Sequence, residues 1–252
     1  MHCITMLTTL KSKGLLWPAI MTVAGVAILI ALGTWQMQRL AWKQGLLADI
    51  SQRAHGDPVV VTRAEQSKRA GADVEYLRVK IGGQFLHDKE RHLFAFDSKY
   101  GPGYHIFTPL KRSDGSIVFV NRGFVPSELR DPAKRDAGQV AGEVEIVGLV
   151  RGSEKPRTFT PENNVADNIW YWRDLDGMAV SVFGQETPRL IPFFIDAEAE
   201  SRVSGAWPKG GVTRLELPNR HLEYAITWYG LAGALIAVFA AYAVSRRRHP
   251  DA

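Results

Sequence analysis

Residues 14–38, GLLWPAIMTVAGVAILIALGTWQMQ, decide the fold, because this run of 25 residues contains no Lys, Arg, Asp or Glu. An α-helix needs roughly 20 residues to cross about 30 Å of bilayer hydrocarbon. A second uncharged run of 22 residues, YAITWYGLAGALIAVFAAYAVS, covers residues 224–245. The sequence therefore predicts two transmembrane helices that flank a polar block, residues 39–223.

The first run also has features of a cleaved signal peptide. Lys11 and Lys13 precede it, and Ala31-Leu32-Gly33 resembles a small-x-small cleavage site. However, the uninterrupted apolar stretch from Leu15 to Leu32 has 18 residues, whereas the apolar core of a signal peptide has roughly 7–15. The length favours a membrane anchor that is retained.

The second run carries small residues four positions apart, which puts them on one helical face: Gly233, Ala237, Ala241 and Ser245. Small residues at this spacing allow another helix to pack closely. An alanine-rich anchor without a partner helix explains the pattern equally well.

The formal net charge of +5 lies mostly at the two ends of the chain. Residues 1–38 carry +2 and residues 245–252 carry +2, whereas residues 39–223 carry only +1. Basic residues beside membrane helices stay on the cytoplasmic side. Both termini, residues 1–13 and 246–252, are therefore predicted to be cytoplasmic, with the central block on the opposite side. Its near-neutral charge excludes a general nucleic-acid-binding surface.

The polar block predicts a single compact domain that is rich in strands. Its first residues, 39–55, continue the first helix as an amphipathic segment that ends at Gly56-Asp57-Pro58. A second helix is predicted over residues 176–183. Short spacings and Gly-rich turns favour antiparallel hairpins for the strand-like stretches: 59–62, 76–85, 92–97, 104–110, 117–121, 144–150 and 190–195. The predicted fold class is a membrane protein with two transmembrane α-helices flanking an α+β, mainly antiparallel β, extramembrane domain.

Familiar signatures of enzymes are missing from the sequence, including the phosphate loop, the zinc-protease helix and the nucleophile elbow. The single cysteine, Cys3, excludes an intramolecular disulfide and a zinc site with paired thiolates. His87 and His92 offer two imidazoles to a metal, but an exposed hairpin tip explains them better, and His105 reads as a strand residue.

His221 stands out among the histidines because it directly precedes the second apolar run, in PNRHLEYAITWYG. Asn219 is predicted to cap the helix. Tyr224 and Trp228 follow His221 at spacings that share its helical face. A neutral imidazole at a membrane boundary suits axial ligation of a haem iron. The alternative is that interfacial His and Tyr side chains are common simply because they are amphipathic. Two arginines at the same depth, Arg39 and Arg220, suit haem propionates.

Five blocks of the sequence match a known family in the same order along the chain: LGTWQMQRLAWK (32–43), GPGYHIFTPL (101–110), VNRGFVP (120–126), NIWYWRDLDGMA (168–179) and PNRHLEYAITWYGLA (218–232). Together they resemble the Surfeit locus protein 1 family of cytochrome c oxidase assembly factors. The blocks extend from the first membrane helix to the second, and the family shares the two-helix layout.

The resemblance implies a chaperone that helps haem a reach the oxidase catalytic subunit, without enzymatic activity. It implies haem a as a transient cofactor with His221 as the iron ligand and Trp228 as a wall for the macrocycle. The implied partners are the catalytic subunit and the haem a synthesis machinery, with no nucleic acid. Other family blocks contain matched residues to which no chemical role is assigned: Arg122, Gly123, Trp172, Arg173 and Asp174.

A bacterial inner membrane with a periplasmic central domain is the expected location, since only 13 residues precede the first run and a mitochondrial leader is usually longer. The mitochondrial inner membrane is the alternative. Two other functions stay open at this point: an assembly scaffold that docks on oxidase subunits without haem, and a two-helix membrane-tethered sensor or enzyme.

Overall fold

A computed structural model describes residues 15–186, 188–199, 206–213, 215 and 218–248, without the side chain of Arg247. Cys3, Lys11 and Lys13 lie outside the described residues. The chain divides into two compact units, residues 49–215 and a unit formed by residues 1–48 and 216–252. The elements in chain order are α1 (Leu16–His55), β1 (Val59–Val60), α2 (Val61–Arg69), β2 (Arg78–Phe85), β3 (Arg91–Asp97), β4 (Gly101–Lys111), β5 (Ile117–Pro126), β6 (Glu143–Arg151), β7 (Ile169–Trp170), α3 (Leu175–Phe183), β8 (Leu190–Ala197) and α4 (His221–Arg248).

Helices α1 and α4 are both long and apolar enough to cross a membrane. Their contacts run in opposite directions along the two helices: Gln36 contacts His221, Gly33 lies against Tyr229, and Gly25 lies against Leu235. The two helices are therefore antiparallel. In α4 the more buried residues recur three or four positions apart, a spacing typical of one helix packing along another: Ala225, Trp228, Ala232, Leu235 and Phe239.

The small-residue stripe of the second run does not face α1. Gly233, Ala237, Ala241 and Ser245 are exposed along a different side of α4. Close approach depends instead on glycines of α1, since a Cβ at Gly25 would lie 2.9 Å from Leu235.

Five strands of the central unit close into a ring. The pairing runs β2–β6–β8–β5–β4 and returns to β2 through two residue pairs, Gln84–Lys111 and Phe85–Leu110. Within the ring only β5 and β8 are parallel, and the other neighbours are antiparallel. This is a small, partly open barrel of five strands, an architecture shared with the OB fold. Strands β3 and β7 extend the sheet beyond β4.

Two hydrophobic clusters lie on opposite faces of β5 and β8. In β5, Val118 and Val120 belong to the barrel interior, whereas Phe119 packs with Met178 of α3 on the outside. Strand β8 alternates in the same way. Because side chains of a strand point to alternate faces, a strand covered on both sides reads as a continuous apolar run. This explains IVFV (117–120) and LIPFFI (190–195).

The predicted fold class is confirmed, and the predicted continuation of α1 to His55 is confirmed as well. One predicted strand is wrong, since 59–62 contains only the two-residue β1 before α2 begins at Val61. Helix α2 buries Val61 and Ala64 against the barrel interior. With so few apolar positions in VTRAEQSKR, its helical period was too weak to detect.

Candidate functional site

His221 is the first residue of α4, and its side chain is half-buried against α1. Its Nδ1 atom lies 2.7 Å from Oε1 of Gln36. An amide oxygen only accepts hydrogen bonds, so Nδ1 carries the proton and donates it to Gln36. In the neutral imidazole this leaves Nε2 with a lone pair. Among the described residues, Nε2 has no hydrogen-bond partner.

Two neighbours of His221 face α1 with it. Ala225, one turn further along α4, is 1% exposed. Trp228 follows two turns after His221, and its indole Nε1–H is buried without an acceptor among the residues that the structure describes. The predicted shared face is therefore present for His221 and Trp228.

The other predicted site residues lie at the same end of the helix pair but on exposed positions. Tyr224 is 50% exposed and lies beside this face. Arg220 donates to Glu223 at 2.9 Å, and the guanidinium of Arg39 lies 4.0 Å from the ring centroid of Trp42. The structure thus places His221 and Trp228 on one face of α4, whereas Tyr224, Arg220 and Arg39 are exposed.

The predicted cap of α4 is wrong. The helix begins at His221, so the cap position falls on Arg220. The buried Oδ1 of Asn219 has no hydrogen-bond partner among the described residues. Close by, the ammonium of Lys43 donates to the carbonyl of Pro218.

The donor set at His221 fits the haem that the resemblance implies. A neutral imidazole nitrogen is a common axial ligand of haem iron. Metal-ligating histidines almost always donate their second N–H to a fixed acceptor, and Gln36 is such an acceptor. The unpaired indole N–H of Trp228 is a donor suited to an oxygen substituent of a macrocycle.

Gln36, the hydrogen-bond partner of His221, is a residue of this candidate site that the sequence analysis did not identify. A signal was present, since Gln36 is one of the few strongly polar side chains in the first apolar run. Polar side chains within membrane spans face a partner helix or a site by default.

His87 and His92 both bond within the fold, and His92 is buried, so the expected exposed hairpin tip is wrong for His92. Nε2 of His87 donates to the carbonyl of Val140 at 2.9 Å, and Nδ1 accepts from Arg122 at 3.1 Å. His92 bonds Glu90 at 2.8 Å and accepts from Arg130 at 3.1 Å. Both nitrogens of each ring are therefore occupied. Across the described residues there is no group of three His, Cys, Asp or Glu able to hold a metal.

Burial lowers the pKa of His87, and the neighbouring Arg122 charge adds to this effect, while the hydrogen bond to Val140 opposes it. The ring therefore stays neutral and accepts from Arg122. The same guanidinium donates to the carbonyl of Gly138 and lies 4.9 Å from the ring centroid of Phe85. Arg122 thus holds the segment that follows β5, which contains Gly138, against the barrel.

Asp196 of β8 is 1% exposed and contacts several polar side chains at one end of the barrel. It accepts from the Asn121 amide at 3.0 Å, from the Thr213 hydroxyl at 2.6 Å and from Arg173 at 3.3 Å. Arg151 lies 3.7 Å away. Arg173, one of the matched residues, therefore has a structural contact with the buried Asp196.

Two other matched residues, Gly123 and Asp174, also have structural roles. Gly123 has a φ of 121°, and its backbone lies against Lys209, where a side chain would collide. Asp174 caps α3 by accepting from Gly177 at 3.0 Å.

Trp170 is the last residue of β7, and Trp172 follows the strand. Trp170 is 1% exposed and belongs to the hydrophobic cluster of Phe119 and Met178 on the outside of the barrel. Trp172 is half-buried. His105 lies in β4, as predicted, and packs against Phe124.

Fold and site together define a class of protein: two helices of membrane-spanning length, paired around a half-buried histidine and flanking a small β-barrel. The sequence model of the SURF1 family matches residues 23–233. Surfeit locus protein 1 of Rattus norvegicus is 40% identical over 223 residues, covering 82% of this chain and 70% of that protein. The Homo sapiens protein is 39% identical over 219 residues, with coverages of 81% and 70%. A SURF1-like protein of Monosiga brevicollis is 35% identical over 240 residues, with coverages of 91% and 87%. The chain belongs to the SURF1 family.

Proposed function

We propose that this protein is a membrane-anchored assembly factor for cytochrome c oxidase that binds haem a through His221 and aids its insertion into the catalytic subunit. Membership of the SURF1 family supports the role in assembly. The hydrogen bond between His221 and Gln36 carries the haem assignment, because it leaves Nε2 as a lone-pair donor at one end of the helix pair.

In this proposal each residue of the site has a distinct role. His221 would hold the iron through Nε2, Trp228 would offer an aromatic wall, and the guanidinium groups of Arg39 and Arg220 would attract the propionates. Haem a supplies the redox centre that the oxidase uses. The chain itself binds and releases the group, and a single imidazole ligand suits release better than two ligands in a closed pocket.

The partners in this proposal are the oxidase catalytic subunit and the machinery that makes haem a. Helices α1 and α4 cross the membrane, with the barrel on the periplasmic side of a bacterial inner membrane or the corresponding side of the mitochondrial inner membrane. The basic residues at both ends of the sequence support this orientation.

The test is to purify the detergent-solubilised protein from cells that make haem a and to record its absorption spectrum. We expect a haem a spectrum that is lost in His221→Ala. His55→Ala is the matched control, because His55 is exposed and bonds only within its own helix turn. If haem does not co-purify, or if His221→Ala keeps the bound spectrum, the ligand assignment is wrong.

A specific observation favours a second function, docking on an oxidase subunit without haem. On β3, Phe94 is 47% exposed and Phe96 is 68% exposed. Together with Tyr104 and Tyr171, which flank Phe94, they form an aromatic surface of the kind found in protein interfaces. If His221→Ala assembles the oxidase as well as the wild type in cells, the scaffold is the better description.

A further inference from the structure

We propose that Gln36 is a positioning residue for His221: it holds the imidazole proton on Nδ1 and presents Nε2 to the iron of a haem. This inference rests on the proposed function and adds to it the residue that prepares the ligand.

The contact between His221 and Gln36 has the chemistry of a hydrogen bond that orients a ligand. The 2.7 Å separation of Nδ1 and Oε1 is short for a bond from nitrogen to oxygen. Both side chains are half-buried, and a hydrogen bond with less surrounding water is electrostatically stronger. An imidazole that donates from Nδ1 is fixed in one tautomer and in one ring orientation. Without an acceptor at this position, the proton is free to sit on Nε2 and block the lone pair that a metal needs.

Close packing of α1 and α4 holds Gln36 in place. Gly33 lies one turn before Gln36 in α1, and the ring of Tyr229 rests against it. In α4, Ala225 lies one turn after His221 and is fully buried. Small residues next to both partners let the two helices approach until the amide and the imidazole meet. The bond therefore depends on the arrangement of the helix pair rather than on two flexible surface side chains.

The sequence offers a matched control two residues away. Gln38 has the same side chain as Gln36, lies in the same helix, and is exposed rather than turned toward α4. Replacing either glutamine by leucine makes the same chemical change in α1. Only the change at Gln36 removes the acceptor of His221.

The experiment titrates extracted haem a into the detergent-solubilised full chain and records the Fe–His stretching band of the ferrous complex by resonance Raman spectroscopy. We expect Gln36→Leu to weaken binding about 10- to 100-fold, the usual effect of losing the acceptor behind a metal-ligating histidine. We expect its Fe–His band to shift to lower frequency, since the imidazole becomes a weaker donor. Gln38→Leu should match the wild type in both measurements.

Gln36→Glu separates positioning from mere packing. A carboxylate is a stronger acceptor than an amide and withdraws the Nδ1 proton further, which makes Nε2 more basic. We expect this variant to keep its affinity and to move the Fe–His band to higher frequency. A purely structural role for Gln36 would leave the band at its wild-type frequency in every variant that binds haem.

His221→Ala distinguishes failure of this inference from failure of the proposed function. If His221→Ala loses haem but Gln36→Leu binds with wild-type affinity and an unshifted band, Gln36 is not a positioning residue and the ligand assignment stands. If His221→Ala keeps its haem, the proposed ligand is wrong and this inference fails with it. Should Gln36→Leu not fold, an unshifted band in Gln36→Glu overturns the inference.

Discussion

The ring of Tyr229 in α4 rests against Gly33 of α1, so that a Cβ at Gly33 would lie 2.6 Å from Cε1 of that ring. The phenol oxygen lies 3.3 Å from the hydroxyl of Thr34. Along α1 this contact lies one turn from Gln36, and along α4 it lies about two turns from His221. Glycine fits here because the aromatic ring occupies the space that a side chain at residue 33 would take.

Gly33→Leu is expected to push the two helices apart and to break the contact between Gln36 and His221. Overpacking of this kind typically costs about 1–3 kcal/mol or forces a rearrangement. We expect haem a binding by the solubilised protein to fall by at least about tenfold. Gly45→Leu, in the same helix, is the control, because a Cβ at Gly45 meets nothing within 4 Å. Equal haem affinity in the two variants would contradict the packing argument.

Asp196→Asn tests the polar cluster at the end of the barrel. The change removes the buried negative charge that faces Arg173 and Arg151. Removing one partner of a buried ion pair costs about 3–5 kcal/mol. We expect a clear loss of unfolding free energy, measured by thermal or urea denaturation of the solubilised chain.

Glu154→Gln provides the comparison for Asp196→Asn. Glu154 also pairs with Arg173, at 2.6 Å, but its side chain is 44% exposed. Exposed pairs contribute up to about 1 kcal/mol. If both variants lose the same small amount of stability, the burial of Asp196 is not what makes it important.

Glu90 predicts a specific dependence of stability on pH. Burial opposes ionisation of this carboxyl, but hydrogen bonds from His92 and Arg135 and the charge of Arg135 outweigh it, so the pKa lies below its ordinary range. A carboxyl with a depressed pKa in the folded state stabilises the protein above its unfolded pKa of about 4.3. That stabilisation is lost as the pH falls through the folded pKa.

We therefore expect the melting temperature of Glu90→Gln to lie below that of the wild type by a constant amount between pH 7 and about pH 5. Below about pH 4.3 the difference should shrink. The measurement is tryptophan fluorescence during heating of both solubilised proteins. A difference that is independent of pH throughout would show that the ionised carboxyl is not the stabilising species.

Both membrane-length helices and most strands were predictable because each depends on a local pattern. Consecutive residues alone reveal the uncharged runs of more than 20 residues and the apolar stretches between glycine-rich turns. Helix α2 was not predictable, since it has few apolar residues and their burial depends on packing against the barrel interior. His221 was identified from its position beside the second apolar run. Its partner Gln36 was not, because their contact is a property of how two distant helices pair.

The proposed topology predicts the behaviour of reporter fusions. A fluorescent protein that folds only in the cytoplasm should be active after Arg248, and alkaline phosphatase at the same position should be inactive. Insertion of the same reporters after the exposed Glu162 should give the opposite pattern. Phosphatase activity after Arg248 would overturn the orientation derived from the flanking charges.

The exposed aromatic residues of β3 separate the two proposed functions. We expect the double change Phe94→Ser and Phe96→Ser to reduce co-purification with the oxidase catalytic subunit by at least about tenfold, as for a truncated aromatic anchor. Haem binding should be unchanged. Phe159→Ser is the control, because Phe159 is 97% exposed and, among the described residues, makes no ring contact with Phe94, Tyr104 or Tyr171. If the double variant also loses haem, the aromatic surface is not a separate docking site.

Gln36 and His221 are separated by 185 positions in the chain. At a synthesis rate of about 5–20 residues per second, Gln36 exists for roughly 10–40 s before its partner is made. The pair forms only after the second helix has inserted antiparallel to the first. Under the proposed function, an unfinished or half-inserted chain has no prepared ligand, so haem is captured only by molecules whose biogenesis is complete.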